Sequence, residues 1–216
     1  MPAPPQSIDR RDEDLMQSYA RGEAAAFDAL YARHKGGVYR YLLRHCGNAA
    51  TADELFQDIW MNVIRVRATY VASARFATWL YTLARHRVVD HWRAQGHAAL
   101  VSIDDEGDAS ARSAAEALPA ARGDEPDARA ANRQLAGSLA AALSTLPPAQ
   151  RDAFLLQQES GLSLAEIAQL QGVGVETVKS RLRYAVARLR LELAEPAGAG
   201  TRSTPVDVMQ PREAGS

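Results

Sequence analysis

The chain has 216 residues, of which 47% are hydrophobic and 24% are charged, so it can form one or two small globular domains. Its formal net charge of −1 does not by itself indicate a nucleic-acid-binding protein, and its single cysteine, Cys46, excludes an intrachain disulfide. With no apolar signal core at the N-terminus and no uncharged run long enough to cross a bilayer, we expect a cytoplasmic protein with no membrane partner.

The chain is predicted to be all-α, because apolar residues recur at helical spacing and alternating strand patterns are nearly absent. After a disordered stretch at 1–11, residues 12–97 are predicted to form a first helical domain. Breaks between its helices are expected at four places: Gly22, Gly36-Gly37, Gly47-Asn48 and 69–74.

One predicted helix of this domain has an acidic start and a long apolar stripe. Thr51 is predicted to be its N-cap, with Glu54 completing a capping box worth about 1 kcal/mol. The apolar stripe runs from Leu55 to Ile64. The outward face then carries Asp53, Glu54, Gln57, Asp58, Met61 and Asn62.

Residues 60–95 combine six arginines with a single acid, Asp90, and carry several aromatic residues. Cations follow phosphates and rings stack on unpaired bases, so this composition indicates a platform for single-stranded nucleic acid. For any one ring, a place in the core remains the alternative.

An acidic segment separates the two helical blocks. Residues 104–130 hold eight acids against three arginines and are rich in Ala, Gly and Pro. We assign 98–131 to a flexible acidic linker, 132–193 to a second helical domain and 194–216 to a disordered tail.

The second domain contains a helix-turn-helix pattern. Ser163 and Glu166 form a predicted capping box, Gly172 occupies the turn, and the following helix has one apolar face. Its other face is predicted to contact duplex DNA. That face carries Glu176, Thr177, Lys179, Ser180, Arg181 and Arg183.

No catalytic or metal site is predicted. His34, His45 and Cys46 lack ligand spacing, and no nucleophile–base–acid set or phosphate loop is present, so we expect neither an enzyme nor a cofactor. Two functions compete: a promoter-opening factor, and a helix-turn-helix regulator whose N-terminal domain senses a signal and which acts on duplex DNA alone. The basic, aromatic span favours the first.

The order of these segments resembles that of extracytoplasmic-function (ECF) sigma factors of the sigma-70 family, the small initiation subunits of bacterial RNA polymerase. "ADELFQDIWMNVIR" resembles the helix that docks on the polymerase, "FATWLYTLARHRVVDHWR" the promoter-melting helix, and the helix-turn-helix the −35-binding domain. The resemblance implies that the outward face of the helix after Thr51 binds core polymerase.

The resemblance also implies that 67–75 and the helix after it read the melted −10 element. The residues implied are Tyr70, Ser73, Arg75, Phe76, Trp79, Arg85, His86 and Arg93. His86 stands where the family usually has Asn.

Thr51 stands where the family commonly has an acidic residue. Because a phosphate there would restore negative charge at a helix N-terminus, Thr51 is a predicted phosphorylation site. Some members of the family are controlled by Ser/Thr kinases and others by anti-sigma proteins, and both remain open as partners.

Overall fold

The computed structural model describes residues 10–94 and 126–194, with side chains from residue 134 onward in the second range. All regular structure in these ranges is helical, which confirms the predicted fold class. The N-terminal helical domain comprises α1 (Asp12–Ala20), α2 (Ala24–Cys46), α3 (Ala49–Val66), a short 3-10 turn (Arg67–Thr69) and α4 (Phe76–Ala94). The C-terminal helical domain comprises α5 (Pro126–Ser144), α6 (Pro148–Ser160), α7 (Leu164–Gln171) and α8 (Val175–Ala194).

The first residues of α5 fall within the segment assigned to the acidic linker. Most of that segment, the N-terminal stretch up to residue 9 and the tail from 195 lie outside the described residues. No helix in the described ranges is both long enough and apolar enough to span a membrane.

Helix α2 is continuous, so the break predicted at Gly36-Gly37 is wrong. Neither glycine adopts a positive φ. Two glycines cost a helix about 1 kcal/mol each in propensity, but buried side chains on both sides, including Leu30, Val38 and Leu42, anchor the helix to the core. Tertiary packing therefore outweighs local propensity at this point.

Helix α3 begins earlier than predicted, and its N-cap is Asn48 rather than Thr51. Asn48 Oδ1 accepts hydrogen bonds from the backbone N–H groups of Ala50 (2.8 Å) and Thr51 (3.3 Å). Asparagine caps as well as threonine does, and the two alanines that follow it extend the helix by most of a turn. Thr51 therefore lies inside the first turn, with a partly buried side chain.

The core of the N-terminal helical domain is built on the apolar stripe of α3. Ile59 and Val63 are fully buried, and the Trp60 ring meets Tyr31 of α2 edge to face with centroids 4.9 Å apart. Helix α4 begins where the backbone N–H of Phe76 donates to Glu13 Oε1 of α1 (2.7 Å). This contact fixes the start of α4 against α1.

The helix-turn-helix has the predicted geometry. Ser163 and Glu166 form the capping box of α7, and Gly172 ends the helix with a φ of 71°, a left-handed conformation that glycine adopts without strain. Helix α8 buries Val178, Leu182, Ala185 and Leu189 on one face.

The two domains pack on each other. Helix α6 lies against α2 and α4, and α7 lies against α4. The helix predicted to melt promoter DNA is therefore in contact with the helices of the other domain.

Candidate functional site

The outward face of α3 is exposed as predicted. Five of the six residues assigned to it are exposed and Asn62 is partly buried, while Met61 is an apolar side chain with 57% of its surface accessible. Partial burial and the carboxylate of Asp53 together raise the pKa of the Tyr39 hydroxyl, so Tyr39 stays protonated beside this face. The face combines several carboxyl groups with one exposed thioether.

The second candidate surface comprises the 67–75 loop and α4. Ser73, Arg75, His86 and Arg93 are exposed, and Tyr70, Trp79 and Arg85 are partly buried. The Tyr70 and Trp79 rings meet edge to face at 5.2 Å. Burial, with the charge of Glu13, raises the pKa of Tyr70 to about 12, so its hydroxyl remains a hydrogen-bond donor.

Phe76 does not belong to this surface. Its side chain is fully buried and packs on Trp79 at a centroid distance of 5.6 Å. In this structure the ring serves as core beneath Trp79, and a contact of Phe76 with the −10 element stays a prediction. Its spacing of four and seven residues from Leu80 and Leu83 already allowed that alternative.

The third candidate surface is the front of α8. Glu176, Thr177, Lys179 and Arg183 are exposed, and Lys179 pairs with Glu176 at 2.7 Å. Ser180 and Arg181 are partly buried. The Arg181 guanidinium donates to Gln171 Oε1 at 3.0 Å.

A buried carboxylate, Asp152 of α6, lies where the two domains meet. Tyr41 donates its hydroxyl to Asp152 Oδ1 (2.8 Å), while Arg85 Nε and Gln171 Nε2 donate to Asp152 Oδ2 (3.0 and 2.9 Å). His45 Nε2 is 3.4 Å from Oδ1, close to the carboxylate but without a well-aligned hydrogen bond.

Burial alone would raise the pKa of Asp152. The neighbouring His45 ring, the Arg85 charge and the Tyr41 hydroxyl outweigh burial and hold the pKa well below its ordinary value. Burial lowers the pKa of His45 in turn, although Asp152 opposes that shift. Asp152 is therefore an ionised carboxylate inside the molecule.

A second carboxylate, Glu166 of α7, also reaches across to α4. Thr78 Oγ1 donates to Glu166 Oε1 (2.7 Å), and Arg75 lies 3.4 Å from Oε2. Burial acts to raise the pKa of Glu166, but the bonds from Thr78 and Ser163 and the Arg75 charge lower it to about 2.

Sequence reasoning missed Asp152 and Gln171, which are bonded to each other where the domains meet. It also missed Glu159 of α6, whose carboxylate pairs with Arg40 and Arg44 of α2. One signal was present: Asp152 and Glu159 are seven residues apart, which places both on one face of a helix that is otherwise apolar there. Their partners are far away in sequence, so periodicity could not identify them.

The described residues contain no group of three metal-ligating side chains close enough to hold an ion. His34 is bonded to Asp12 at 2.7 Å, His45 is buried between the domains, and burial raises the pKa of the Cys46 thiol to about 12.

Two family models match the parts of the chain that carry these three surfaces. The sigma-70 region 2 model matches residues 30–98, which include α3 and α4, and the sigma-70 region 4 model matches residues 136–189, which include the helix-turn-helix. The sigma factor CarQ of Myxococcus xanthus is 32% identical over 180 residues, covering 83% of this chain and 96% of CarQ. The ECF sigma factor SigL of Mycobacterium tuberculosis is 33% identical over 177 residues, covering 82% and 93%.

The chain is an ECF sigma factor. As an RNA polymerase sigma factor it directs transcription initiation, and its partners are core RNA polymerase and promoter DNA. The alternative of a sensor-linked helix-turn-helix regulator is not favoured, because the N-terminal helical domain itself matches region 2.

Two solved structures share this fold. The sigma factor RpoE of Bartonella quintana, solved with the anti-sigma factor NepR, has a TM-score of 0.61 at 21% identity, covering 79% of this chain and 98% of RpoE. CnrH, solved with the cytosolic domain of CnrY, has a TM-score of 0.60 at 21% identity, covering 84% and 96%. At this identity the likeness concerns the fold.

Proposed function

We propose that the ECF sigma factor divides its work among the three surfaces. The outward face of α3 binds core polymerase, the 67–75 loop and α4 hold the melted −10 strand, and the front of α8 binds the −35 duplex. The exposure of the outward α3 face carries this proposal, since the same helix buries its other face in the core. We place this work in the cytoplasm, and the chemistry of RNA synthesis belongs to the polymerase.

The carboxylates of the α3 face suit a basic partner surface. Charge complementarity of this kind raises the association rate and fixes how the two surfaces align. Asp58→Arg should strongly reduce retention of the full chain on immobilised core polymerase. Asp28→Arg, an equal charge reversal at an exposed position on α2, is the matched control and should bind like wild type. Equal retention of both variants would refute the assignment of this face.

On the surface formed by the 67–75 loop and α4, exposed basic side chains can contact the phosphates of the melted strand. The Tyr70 and Trp79 rings can stack on its unpaired bases. His86→Ala combined with Arg93→Ala should reduce promoter melting, measured by permanganate reactivity of −10 thymines. Core polymerase binding should be retained, because both residues are exposed and distant in sequence from the α3 face. Undiminished melting would exclude these two residues from strand contact.

We further propose that phosphorylation of Thr51 controls polymerase binding. Thr51 lies in the first turn of α3, Asp53 and Glu54 follow it within three residues, and its backbone N–H donates to Asn48 Oδ1. A phosphate adds about −1.5 to −2 charges, and the helix dipole stabilises negative charge at this end.

The kinase proposal is tested in cells and in purified transcription. Thr51→Ala should abolish kinase-dependent runoff transcription, and Thr51→Glu should partly restore it. Mass spectrometry of the chain from cells should detect phosphothreonine at position 51. If Thr51→Ala transcribes like wild type in the presence of the kinase, the sigma factor is regulated by another mechanism, such as binding of an anti-sigma protein.

A further inference from the structure

We propose that α1 positions the loop that reads the −10 element, and that Glu13 is the residue through which it does so. Glu13 acts through the backbone at the start of α4, so it is a positioning residue and not a further strand contact. The role assigned to the 67–75 loop rests on the proposed function, whereas the contact between α1 and α4 does not.

The residue that precedes α4 cannot cap this helix with its side chain. That residue is Arg75, whose carbonyl oxygen accepts the first hydrogen bond of the helix, from the Trp79 N–H at 3.1 Å. An arginine side chain has only donors, so it cannot accept from the free N–H groups that begin a helix. Glu13 Oε1 supplies an acceptor from α1, 2.7 Å from the Phe76 nitrogen. Its negative charge also suits the positive end of the α4 dipole.

Helix α1 contacts the loop at both ends. At the start of the loop, the Arg67 guanidinium lies over the Tyr19 ring, 5.6 Å from the ring centroid. At its end, Glu13 is bonded to the first residue of α4. The 67–75 loop is thus tied twice to one helix, which is itself anchored in the core by the fully buried Leu15.

A second carboxylate of α1 supports the start of α4. Asp12 Oδ2 lies 2.7 Å from His34 Nε2 of α2, and Asp12 Oδ1 accepts from Arg33 at 2.5 Å. The His34 ring packs against the Phe76 ring with centroids 5.3 Å apart. The Phe76 backbone is therefore held by one carboxylate of α1, and its ring rests on a histidine that the neighbouring carboxylate orients.

Tyr70, the loop residue proposed to stack on an unpaired base, depends on this support. Its hydroxyl is buried and has no hydrogen-bond partner among the residues that the structure describes. Its ring packs against Phe76, with centroids 6.3 Å apart, and against Trp79, at 5.2 Å. Both of these rings belong to the first turn of α4, so a shift of that turn moves Tyr70 as well.

Amide hydrogen exchange, followed by NMR in the free full chain, tests the positioning itself. Glu13→Ala leaves the Phe76 N–H without its acceptor, and a hydrogen bond to a charged group is worth about a factor of ten or more. Exchange at Phe76 should therefore be faster by about that factor. Glu13→Gln keeps an acceptor oxygen but loses the charge, so its exchange rate should fall between those of wild type and Glu13→Ala.

Asp14→Ala is the matched control for this experiment. It also removes a carboxylate from the first turn of α1, but a half-exposed one that pairs with the exposed Arg11. Exchange at Phe76 should be unchanged in this variant. Equal exchange at Phe76 in wild type, Asp14→Ala and Glu13→Ala would overturn the proposal.

Promoter melting tests the consequence, with each variant assembled on core polymerase. Glu13→Ala should lower the permanganate reactivity of −10 thymines several-fold, because only molecules with the loop in place can hold the melted strand. Retention on core polymerase and affinity for a −35 duplex should stay at the wild-type level. Asp14→Ala should melt like wild type, and Glu13→Gln should melt better than Glu13→Ala. A parallel loss of all three activities in Glu13→Ala would contradict a role confined to the loop.

The positioning role and the proposed function fail in different ways. Fast exchange and undiminished melting in Glu13→Ala, beside poor melting in the His86→Ala and Arg93→Ala double variant, would overturn the role of α1 alone. Undiminished melting in both would overturn the assignment of the 67–75 loop and α4 to the −10 strand, and the role of α1 with it. The exchange rate at Phe76 would still decide whether Glu13 holds the start of α4.

Discussion

At the scale of single residues, Asn48 determines where α3 starts and therefore where Thr51 lies. The Asn48 side chain satisfies two backbone N–H groups that would otherwise lack partners at the helix N-terminus. The Thr51 hydroxyl is consequently not needed for capping. A substitution at Thr51 can therefore test control by phosphorylation without a large change in the free energy of unfolding.

Asn48→Ala should lower the free energy of unfolding by about 1 kcal/mol, the usual cost of losing an N-cap. Thr51→Ala should cost clearly less, because alanine is the better helix former inside the first turn. Urea unfolding of both variants measures the difference. A larger loss for Thr51→Ala than for Asn48→Ala would return the capping role to Thr51.

Glu166 gives the molecule a defined acid sensitivity. Its pKa falls from 4.5 to about 2 in the folded state, so its contribution to stability is present above pH 4.5 and is lost as the pH drops towards 2. Glu166→Gln keeps the oxygen that accepts from Thr78 but removes the charge. The variant should therefore show a shallower decline of melting temperature between pH 4.5 and 2, and an unchanged decline would contradict this role.

At the scale of elements, the sequence was sufficient to predict the helix-turn-helix and the exposed face of α3. The apolar spacing of α8, the capping pair Ser163–Glu166 and the turn at Gly172 are local signals, and local signals decide such motifs. The break at Gly36-Gly37 was wrongly predicted because the continuity of α2 depends on distant packing partners. Asp152 was missed for the same reason, since its contacts come from α2, α4 and α7.

The front of α8 should bind duplex DNA with a salt dependence set by its free cations. Arg183 is exposed, with its guanidinium beside the Tyr184 ring. Arg183→Ala should weaken −35 duplex binding and reduce the slope of log affinity against log salt by about 1 if this arginine contacts a phosphate. Fluorescence anisotropy across a salt series measures that slope. A weaker affinity with an unchanged slope would indicate a base contact instead.

At the scale of the whole molecule, the domains share a buried ion network. Asp152 and Glu159 come from one helix and each receives cations from the other domain. When the domains separate, Arg40, Arg44 and Arg85 regain water, which offsets part of the lost ion pairing. The network therefore couples the two domains through ion pairs that can separate.

Asp152→Ala should uncouple the unfolding of the two domains. Arg85 would lose its buried partner, and separation of the domains would relieve that penalty by hydrating the guanidinium. Scanning calorimetry should show one coupled transition for the wild-type chain and two resolved transitions for the variant. A single transition at a lower temperature in Asp152→Ala would mean that the carboxylate supports one domain only.

The missing side chain at position 37 also has an evolutionary consequence. Any single-base change of a glycine codon that alters the amino acid adds at least one heavy atom, and α6 leaves no space for it. Drift at this codon can therefore run in one direction only, towards looser packing of α6 on α2. A lineage that keeps α6 packed this closely on α2 must therefore keep this codon.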